Sequence, residues 1–330
     1  MKQKILITGA SGFIGSFLVD EALRLGYAVT AAVRPSSSRE FLTHPDIRFM
    51  TLEYASTELL KKQLQGEAFD YVIHCAGTTG TKGSGDFETV NFVYTRNLAD
   101  ALMAAATPLK RFIYVSTLAV NGPGDSMTMK PIKPGDAEKP ITAYAESKLK
   151  AERYLSSLGN FPCVIVRPTA VYGPRDRDFL SLFKWIRKGL EPNIGWHRQL
   201  LSMIYVKDFA VATLALLQLP TPGRLYFASD GRSYEKEDIS RYIRLILNKT
   251  AIPVRIPLVL LSGILAVSDV LHHLAGKHPF LSREKLKEVA ASNWLCDSSA
   301  LWKDLSIQPV YLLEDGIRET AEWYRNHGWL

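Results

Sequence analysis

The sequence predicts an α/β protein built on a doubly wound parallel sheet. Its first half alternates short apolar, β-branched runs with stretches whose apolar residues recur at helical spacing. The runs contain few polar positions, which is typical of parallel strands covered by helices on both faces. We expect strands at 5–7, 27–33, 47–52, 71–75, 111–116 and 162–166, and helices at 56–65, 86–106 and 144–158 between them.

A second, smaller lobe is expected after Pro174, where longer loops, several tryptophans and a mainly helical tail follow. We predict a dinucleotide-binding domain over 1–170, to which 200–230 return, and a substrate lobe made of 171–199 and 231–330. The lobe should cover the carboxyl ends of the strands, because open α/β sheets bind their ligands there.

Composition argues against several classes of protein. The net charge is +7, but the 40 lysines and arginines are scattered, so no nucleic-acid partner is expected. The 3 cysteines lie far apart without a CxxC pair, which argues against disulfides and a metal site and favours a cytoplasmic location. The longest apolar stretch, 256–270, is interrupted and falls short of the roughly 20 residues of a transmembrane span. The longer segment 256–274 is more typical of a helix in the core of the second lobe than of a peripheral contact with lipid.

Three glycines connect the first strand to the first helix. Gly9, Gly12 and Gly15 stand at GxxGxxG spacing directly after the apolar run 5–7. Glycine is needed in such a loop for a tight turn, for close approach of the backbone to pyrophosphate and for close helix–strand packing. The motif and its position therefore predict a Rossmann-type dinucleotide site.

The end of the second strand indicates which dinucleotide binds. An acidic residue would hold the ribose 2′-hydroxyl of NAD there, but the segment 31–39 contains no carboxylate. Arg34 stands where a guanidinium could clasp a 2′-phosphate, with the Ser36 hydroxyl as a further donor. The sequence thus favours NADP(H) over NAD(H).

A tyrosine and a lysine mark the candidate chemistry. Tyr144 and Lys148 are four residues apart, on one face of a predicted helix, and Thr117 follows the fifth strand. Bringing a phenol pKa from about 10 to about 7 costs about 4 kcal/mol, and one ammonium at ~4 Å supplies a similar amount at an effective dielectric of ~20. Lys148 is therefore expected to activate Tyr144 as a proton donor and acceptor, while Thr117 holds the substrate oxygen.

Taken in order, five motifs resemble the extended short-chain dehydrogenases/reductases, the NAD(P)-dependent epimerase/dehydratase superfamily. They are Gly9-x-x-Gly12-x-x-Gly15, His74-Cys75-Ala76-Gly77, Val115-Ser116-Thr117, Tyr144-x-x-x-Lys148 and Arg167-Pro168-x-x-Val171-Tyr172-Gly173-Pro174. The resemblance implies Tyr144 as general acid/base, Lys148 on the nicotinamide ribose and Thr117 as the third catalytic residue. Asn91 matches a family position near the site, and the helices 86–106 and 144–158 match a common homodimer contact.

The resemblance also implies a set of cofactor contacts. We expect them at Gly9, Ser11, Gly12, Phe13, Ile14, Gly15, Arg34, Ser36, Glu53, Ala76, Gly77, Val115, Tyr144, Lys148, Pro168, Ala170 and Val171.

Two departures from the family pattern bear on the substrate. Nucleotide-sugar branches commonly have Asn where this chain has Thr169, and Arg where it has Leu201. Both changes remove polar ligands for a diphosphate, although Arg175, Arg177, Arg187 or Arg198 could substitute. The remaining pattern is closer to the dihydroflavonol reductase and 3β-hydroxysteroid dehydrogenase branch.

The leading hypothesis is an NADP(H)-dependent enzyme that interconverts a ketone and a secondary alcohol on a bulky, mostly apolar small molecule. A nucleotide-sugar epimerase or reductase with the same three residues is the alternative. A non-catalytic dinucleotide sensor or RNA-binding protein is disfavoured by the intact Thr117, Tyr144 and Lys148.

Overall fold

The computed structural model describes residues 2–80, 84–105, 109–220, 222–258 and 283–330. The strands are β1 Lys4–Thr8, β2 Ala28–Ala32, β3 Arg48–Met50, β4 Tyr71–His74, β5 Arg111–Val115, β6 Cys163–Pro168, β7 Ala170–Tyr172, β8 Leu190–Ile194, β9 Leu200–Leu201, β10 Met203–Tyr205, β11 Leu225–Ala228, β12 Tyr234–Glu235, β13 Ile252–Ile256 and β14 Asn293–Trp294. The helices are α1 Phe13–Arg24, α2 Thr57–Leu64, α3 Ser84–Phe87, α4 Tyr94–Ala104, α5 Ala143–Ser157, α6 Arg177–Arg187, α7 Val206–Ala215, α8 Lys236–Leu247, α9 Arg283–Ala290, α10 Ser299–Leu305 and α11 Leu313–Asn326.

Seven strands form one parallel sheet in the order β11-β6-β5-β4-β1-β2-β3. This confirms the predicted fold class, and the six predicted strands correspond to β1–β6. The seventh, β11, lies in the segment expected to return to the first domain but was not predicted as a strand. Because all seven strands run the same way, the residues that follow β1, β2, β4, β5 and β6 meet at one edge of the sheet.

The two faces of the sheet bury separate cores. Ile5 and Ile7 pack on one face in a cluster that includes α1 and α7, whereas Leu6 between them packs on the other face with α2 and α4. This alternation follows from the period of two along a strand, and burial on both faces explains why β1 is apolar throughout.

A third cluster lies among α6, α8 and α11. Its fully buried members include Tyr172, Phe183, Ile243 and Tyr324. A segment near the end of the chain also packs on the large sheet, because Leu301 and Trp302 of α10 belong to the same cluster as α1 and α7. The division into a dinucleotide domain and a substrate lobe stays a prediction.

Most of the apolar segment 256–274 lies outside the described residues. Within the described part of the chain, no helix is long and apolar enough to cross a membrane. The same part contains no group of three or more His, Cys, Asp or Glu side chains able to hold a metal ion.

Candidate active site

The loop after β1 passes very close to the loop after β4. Gly9 has a φ of +67°, and a Cβ built on it would lie 2.7 Å from the backbone nitrogen of Ala76. A Cβ on Gly15 would overlap the carbonyl oxygen of Gly9. Only glycine allows this turn and this packing, so two of the three predicted glycines are required by the fold itself.

The N-terminus of α1 is open to an anion. Gly12 occupies the N-cap position without a side-chain cap, and the first turn contains no acidic residue. The backbone N–H groups at Phe13 and Ile14 therefore lie at the positive end of the helix dipole. This end of α1 fits the pyrophosphate of a dinucleotide.

A directed hydrogen-bond chain joins β1, β4 and α4. The Thr95 hydroxyl donates to the carbonyl oxygen of Asn91 at 2.7 Å, so it accepts from Nε2 of His74 at 2.9 Å. His74 Nδ1 then accepts from the Thr8 hydroxyl at 2.7 Å, and Thr8 Oγ1 accepts from the backbone N–H of Ala76 at 3.2 Å. Burial and the nearby Lys148 ammonium lower the pKa of His74 to about 3, so the imidazole is neutral.

Asn91 connects the loop after β4 to α5. It lies in a π-helical turn, Glu88–Val93, of the kind frequent at functional sites. Its Oδ1 accepts from the backbone N–H of Thr78 at 2.8 Å, and its Nδ2 donates to the Ser147 hydroxyl at 3.0 Å. A Cβ on Gly77 would lie 3.0 Å from Asn91 Oδ1 and 3.3 Å from Lys148 Nζ. The predicted residues Ala76, Gly77, Asn91 and Lys148 are thus neighbours.

Lys148 is buried beneath the carboxyl end of β5. Its Nζ donates to the carbonyl oxygen of Val115 at 2.9 Å and lies 4.9 Å from the centre of the Tyr114 ring. Burial lowers its pKa to about 8, although Cys75 and Glu152 oppose that shift.

Tyr144 is the second residue of α5, the helix that carries Lys148, and Thr142 caps that helix by accepting from the backbone N–H of Ala145 at 3.3 Å. Burial raises the pKa of the Tyr144 phenol, the Glu288 carboxylate raises it further, and the hydrogen-bonding hydroxyl of Thr117 lowers it. Burial has the largest effect, so the pKa of Tyr144 lies above its ordinary value. The expectation that Lys148 lowers this pKa toward 7 is therefore not met. The structure does bring Thr117 and Tyr144 together.

A carboxylate from α9 reaches this helix, which the sequence did not indicate. The Thr142 hydroxyl donates to Glu288 Oε1 at 3.0 Å, and the indole N–H of Trp294 donates to the Glu288 carbonyl oxygen at 2.9 Å. Glu288 and Thr142 are 146 residues apart, so no local pattern could have linked them.

Arg167 forms a buried ionic cluster behind the site. Its guanidinium is 2% exposed and pairs with Glu152, which is 3% exposed, and with Glu138. Its Nη1 also donates to Asn121 Oδ1 at 2.7 Å. Glu152 lies one turn beyond Lys148 in α5, and Asn121 ends the 3₁₀ turn that follows Thr117. Arg167 therefore ties together the two elements that carry Thr117, Tyr144 and Lys148.

The remaining predicted contacts lie at the edge of the sheet or on the surface. Arg34, Ser36 and Glu53 are exposed just beyond β2 and β3. Pro168 ends β6, and Ala170 and Val171 open β7 beside it. Ser11 lies half-buried in the glycine loop. No contact among the described residues joins Arg34, Ser36 or Glu53 to Tyr144 or Lys148.

The parallel sheet, the glycine loop at the head of α1 and the Thr117–Tyr144–Lys148 grouping define a nicotinamide-dependent enzyme of Rossmann type. The chain belongs to the NAD dependent epimerase/dehydratase family, whose sequence model matches residues 5–226.

Proteins similar over their full length have different activities. The chain is 27% identical to UDP-glucose 4-epimerase of Vibrio cholerae, covering 98% of this chain and 95% of that protein. It is 26% identical to ceramide reductase of Caulobacter vibrioides, covering 99% and 96%. The structure of UDP-glucose 4-epimerase from Thermotoga maritima superposes with a TM-score of 0.80 at 20% identity, covering 98% and 99%. These likenesses establish the enzyme class and the fold but not the substrate.

Proposed function

We propose that this protein is an NADP(H)-dependent oxidoreductase that interconverts a ketone and a secondary alcohol on a bulky, mostly apolar substrate. The observation that carries the proposal is the small sheet β12-β9-β14, in which Leu201 is the direct partner of Tyr234 and of Trp294. Leu201 and Tyr234 pack against the third cluster, whereas Trp294 packs against a separate cluster that includes Leu118, the residue after Thr117. The indole N–H of Trp294 donates to the carbonyl oxygen of Glu288, and the Glu288 carboxylate raises the pKa of Tyr144, so this sheet adjoins the candidate site.

Among the described residues, most of the expected polar ligands for a diphosphate are replaced or engaged elsewhere. Leu201 stands where the nucleotide-sugar branches carry Arg, and the Thr169 hydroxyl donates to the carbonyl oxygen of Ala228 at 3.2 Å. Three of the four arginines that could substitute are engaged elsewhere. Arg175 pairs with Asp20 at 2.9 Å, Arg177 lies 4.9 Å from the Trp329 ring centre, and Arg198 pairs with Glu235 at 2.7 Å. These residues therefore favour a substrate held by apolar contacts over one held by a diphosphate.

The residues around Tyr144 suit proton exchange at a carbonyl oxygen. A bound nicotinamide would supply or accept the hydride in such a reaction. The Tyr144 phenol would give a proton to the oxygen during reduction and take it back during oxidation, while the Thr117 hydroxyl holds that oxygen. Lys148 would bind the nicotinamide ribose from its place under β5.

The preference for NADP(H) rests on Arg34. Its side chain is exposed just beyond β2 and forms no ion pair among the described residues, so its charge is available to a 2′-phosphate. The backbone N–H of Ser37 donates to the Arg34 carbonyl oxygen at 3.0 Å, which holds the serine-rich turn beside it.

The cofactor preference is tested by thermal-shift titration with NADP and NAD. Arg34→Ala should weaken NADP binding at least tenfold and leave NAD binding unchanged, while the exposed-lysine control Lys62→Ala changes neither. Tighter binding of NAD than of NADP by the wild type, unaffected by Arg34→Ala, would overturn the preference.

The substrate class is tested by NADPH oxidation against steroid, flavonoid, long-chain keto-lipid and nucleotide-sugar panels. We expect turnover in one of the first three panels, its loss in Tyr144→Phe, and no inhibition by UDP. NADPH oxidation restricted to nucleotide sugars would instead support the alternative of a nucleotide-sugar reductase, and interconversion of two nucleotide sugars without net oxidation of NADPH would support an epimerase. Unchanged turnover in Tyr144→Phe would show that the assignment of the acid/base is wrong.

A further inference from the structure

Apolar side chains are exposed together where α6 ends and along β13. Trp185 is 48% exposed, Ile252 is 70% exposed and Val254 is 41% exposed, and Leu190 at the start of β8 is 36% exposed. Single exposed apolar residues are ordinary, but a contiguous group next to basic residues marks an interaction site.

These residues belong to one surface. The backbone N–H of Ile252 donates to the Gly189 carbonyl oxygen at 2.9 Å, and β13 pairs with β8 so that Ile252 faces Leu190 and Val254 faces Pro192. The turn at Gly189 directly follows α6, which contains Trp185. We call residues 184–190 and 249–256 the ribbon patch.

The charge of the ribbon patch has one sign. Its two segments contain five basic residues and no acidic residue, and all five are exposed: Lys184, Arg187, Lys188, Lys249 and Arg255. None of the five forms an ion pair with any described residue. Lys188 Nζ lies 5.7 Å from the centre of the Trp185 ring. The nearby Glu191 is buried and pairs with Arg244 at 3.2 Å, so it does not neutralise the surface.

We propose that the ribbon patch docks this protein on the surface of an anionic phospholipid bilayer. Lysine and arginine attract acidic headgroups, an indole lies well at the boundary between headgroups and acyl chains, and branched aliphatic side chains enter that boundary.

A bilayer explains the composition of the ribbon patch better than a nucleic acid does. Bases are bound by stacking on aromatic rings and by hydrogen bonds, and the aliphatic side chains of Leu190, Ile252 and Val254 provide neither. The inference goes beyond the proposed function, because it concerns where the protein resides and does not depend on which substrate it reduces.

Sedimentation of the full chain with vesicles tests the proposal. Vesicles of phosphatidylcholine alone are compared with vesicles that contain phosphatidylglycerol, at low and at high salt. We expect at least tenfold tighter binding to the anionic vesicles and a large loss at high salt, because the attraction of exposed charges is screened.

Two variants assign the binding to the ribbon patch. Replacing Arg187, Lys188 and Arg255 by Gln should weaken binding at least tenfold, and Ile252→Ser should weaken binding that remains at high salt. Replacing the exposed Lys2, Lys62 and Lys303 by Gln is the charge-matched control, and Leu59→Ser, at a 48% exposed leucine, is the apolar control. Circular dichroism melting curves establish that every variant is folded.

Four outcomes would overturn the proposal. They are no binding of the wild type to anionic vesicles, equal binding to both kinds of vesicle, equal loss in the patch variant and its charge-matched control, and displacement from vesicles by a short RNA that binds the same patch more tightly. NADPH oxidation against the same substrate panels is measured in parallel. Turnover without vesicle binding rejects the ribbon patch as a docking surface and leaves the proposed function intact. Vesicle binding without turnover in any of the first three panels leaves the docking surface intact and rejects the proposed function.

Discussion

Lys148 donates its ammonium hydrogen bond to the carbonyl oxygen of Val115 at 2.9 Å. The acceptor is the last residue of β5, two positions before Thr117, so the lysine is held at the edge of the sheet where the other candidate residues meet. One hydrogen bond to a neutral carbonyl only partly replaces the water that an ammonium loses on burial. Because the charged form of Lys148 loses more stabilisation on burial than this hydrogen bond restores, its pKa is lowered to about 8.

The stability of the protein should therefore depend on pH through Lys148. Between about pH 8 and pH 10.5 the unfolded chain keeps a proton on this lysine that the folded chain has lost, so the free energy of unfolding rises with pH. Relative to Lys148→Met, the wild type should gain up to about 3 kcal/mol across that range. Urea unfolding at several pH values, without dinucleotide, measures the difference.

The exposed Lys150 in the same helix provides the control. The difference between wild type and Lys150→Met should stay nearly constant over the same pH range. A constant difference for Lys148→Met as well would contradict the burial argument.

Thr117 should set the pH at which alcohol oxidation begins. In the proposed reaction, oxidation needs the Tyr144 phenolate as base, and the Thr117 hydroxyl lowers the pKa of that phenol. Thr117→Val should move the rising limb of the kcat profile to higher pH and reduce kcat at neutral pH by about a hundredfold. Thr117→Ser keeps the hydroxyl, including its hydrogen bond from the backbone N–H of Ala119, and should behave like the wild type. A Thr117→Val profile of unchanged shape would speak for a purely structural role.

The sequence identified the parts of the site that depend on local geometry. The spacing of Gly9 and Gly15 reflects one tight turn, and Tyr144 and Lys148 lie one helical turn apart, so both patterns are visible over a few residues. Their position after particular strands then predicted which of them converge.

The parts that the sequence missed depend on contacts between distant segments. Glu288 reaches Thr142 from 146 residues further along the chain, and the strand β11 is recognisable only by its pairing with β6. Arg167 was visible as part of a motif, but its contacts with Glu152 and Asn121 depend on how β6, α5 and the turn after Thr117 pack. The effect of burial on the Tyr144 pKa likewise could not be judged before the surroundings of the phenol were known.

Removing only one partner of the buried ion pair between Arg167 and Glu152 should strongly destabilise the protein. Glu152→Leu leaves a buried guanidinium without its main partner, which should lower the free energy of unfolding by about 3–5 kcal/mol. Adding Arg167→Met removes the orphaned charge, so the double variant should be less destabilised than the sum of the two single variants. Arg153→Gln, at a 68% exposed arginine that also pairs with Glu138, should change stability by less than about 1 kcal/mol.

Urea unfolding of the wild type, the two single variants Glu152→Leu and Arg167→Met, and the double variant measures this coupling. Strict additivity of Glu152→Leu and Arg167→Met would mean that the two groups do not stabilise one another. Activity should fall in Glu152→Leu together with stability, because the same contact positions α5, the helix that carries Tyr144 and Lys148.

Glu288 should act on Tyr144 in the direction opposite to Thr117. Its carboxylate raises the pKa of the phenol, so Glu288→Gln should move the rising limb of alcohol oxidation to lower pH. Gln keeps an amide oxygen that can accept from the Thr142 hydroxyl, so the contact between α9 and α5 survives the loss of charge. The exposed neighbour Lys287 gives the control, because Lys287→Gln changes the net charge of α9 without touching Thr142. A Glu288→Gln profile that superimposes on that of the wild type would contradict an electrostatic role.

The double variant Thr117→Val with Glu288→Gln separates electrostatics from general damage to the site. If both residues act through the charge state of Tyr144, their opposite shifts should partly cancel, and the rising limb should lie between those of the single variants. If the two substitutions only damage the site, kcat of the double variant should fall further at every pH, and the rising limb of its pH profile should not move back toward that of the wild type. Partial cancellation in the kcat profile, measured alongside melting temperatures of all four proteins, would show that one phenol responds to both groups.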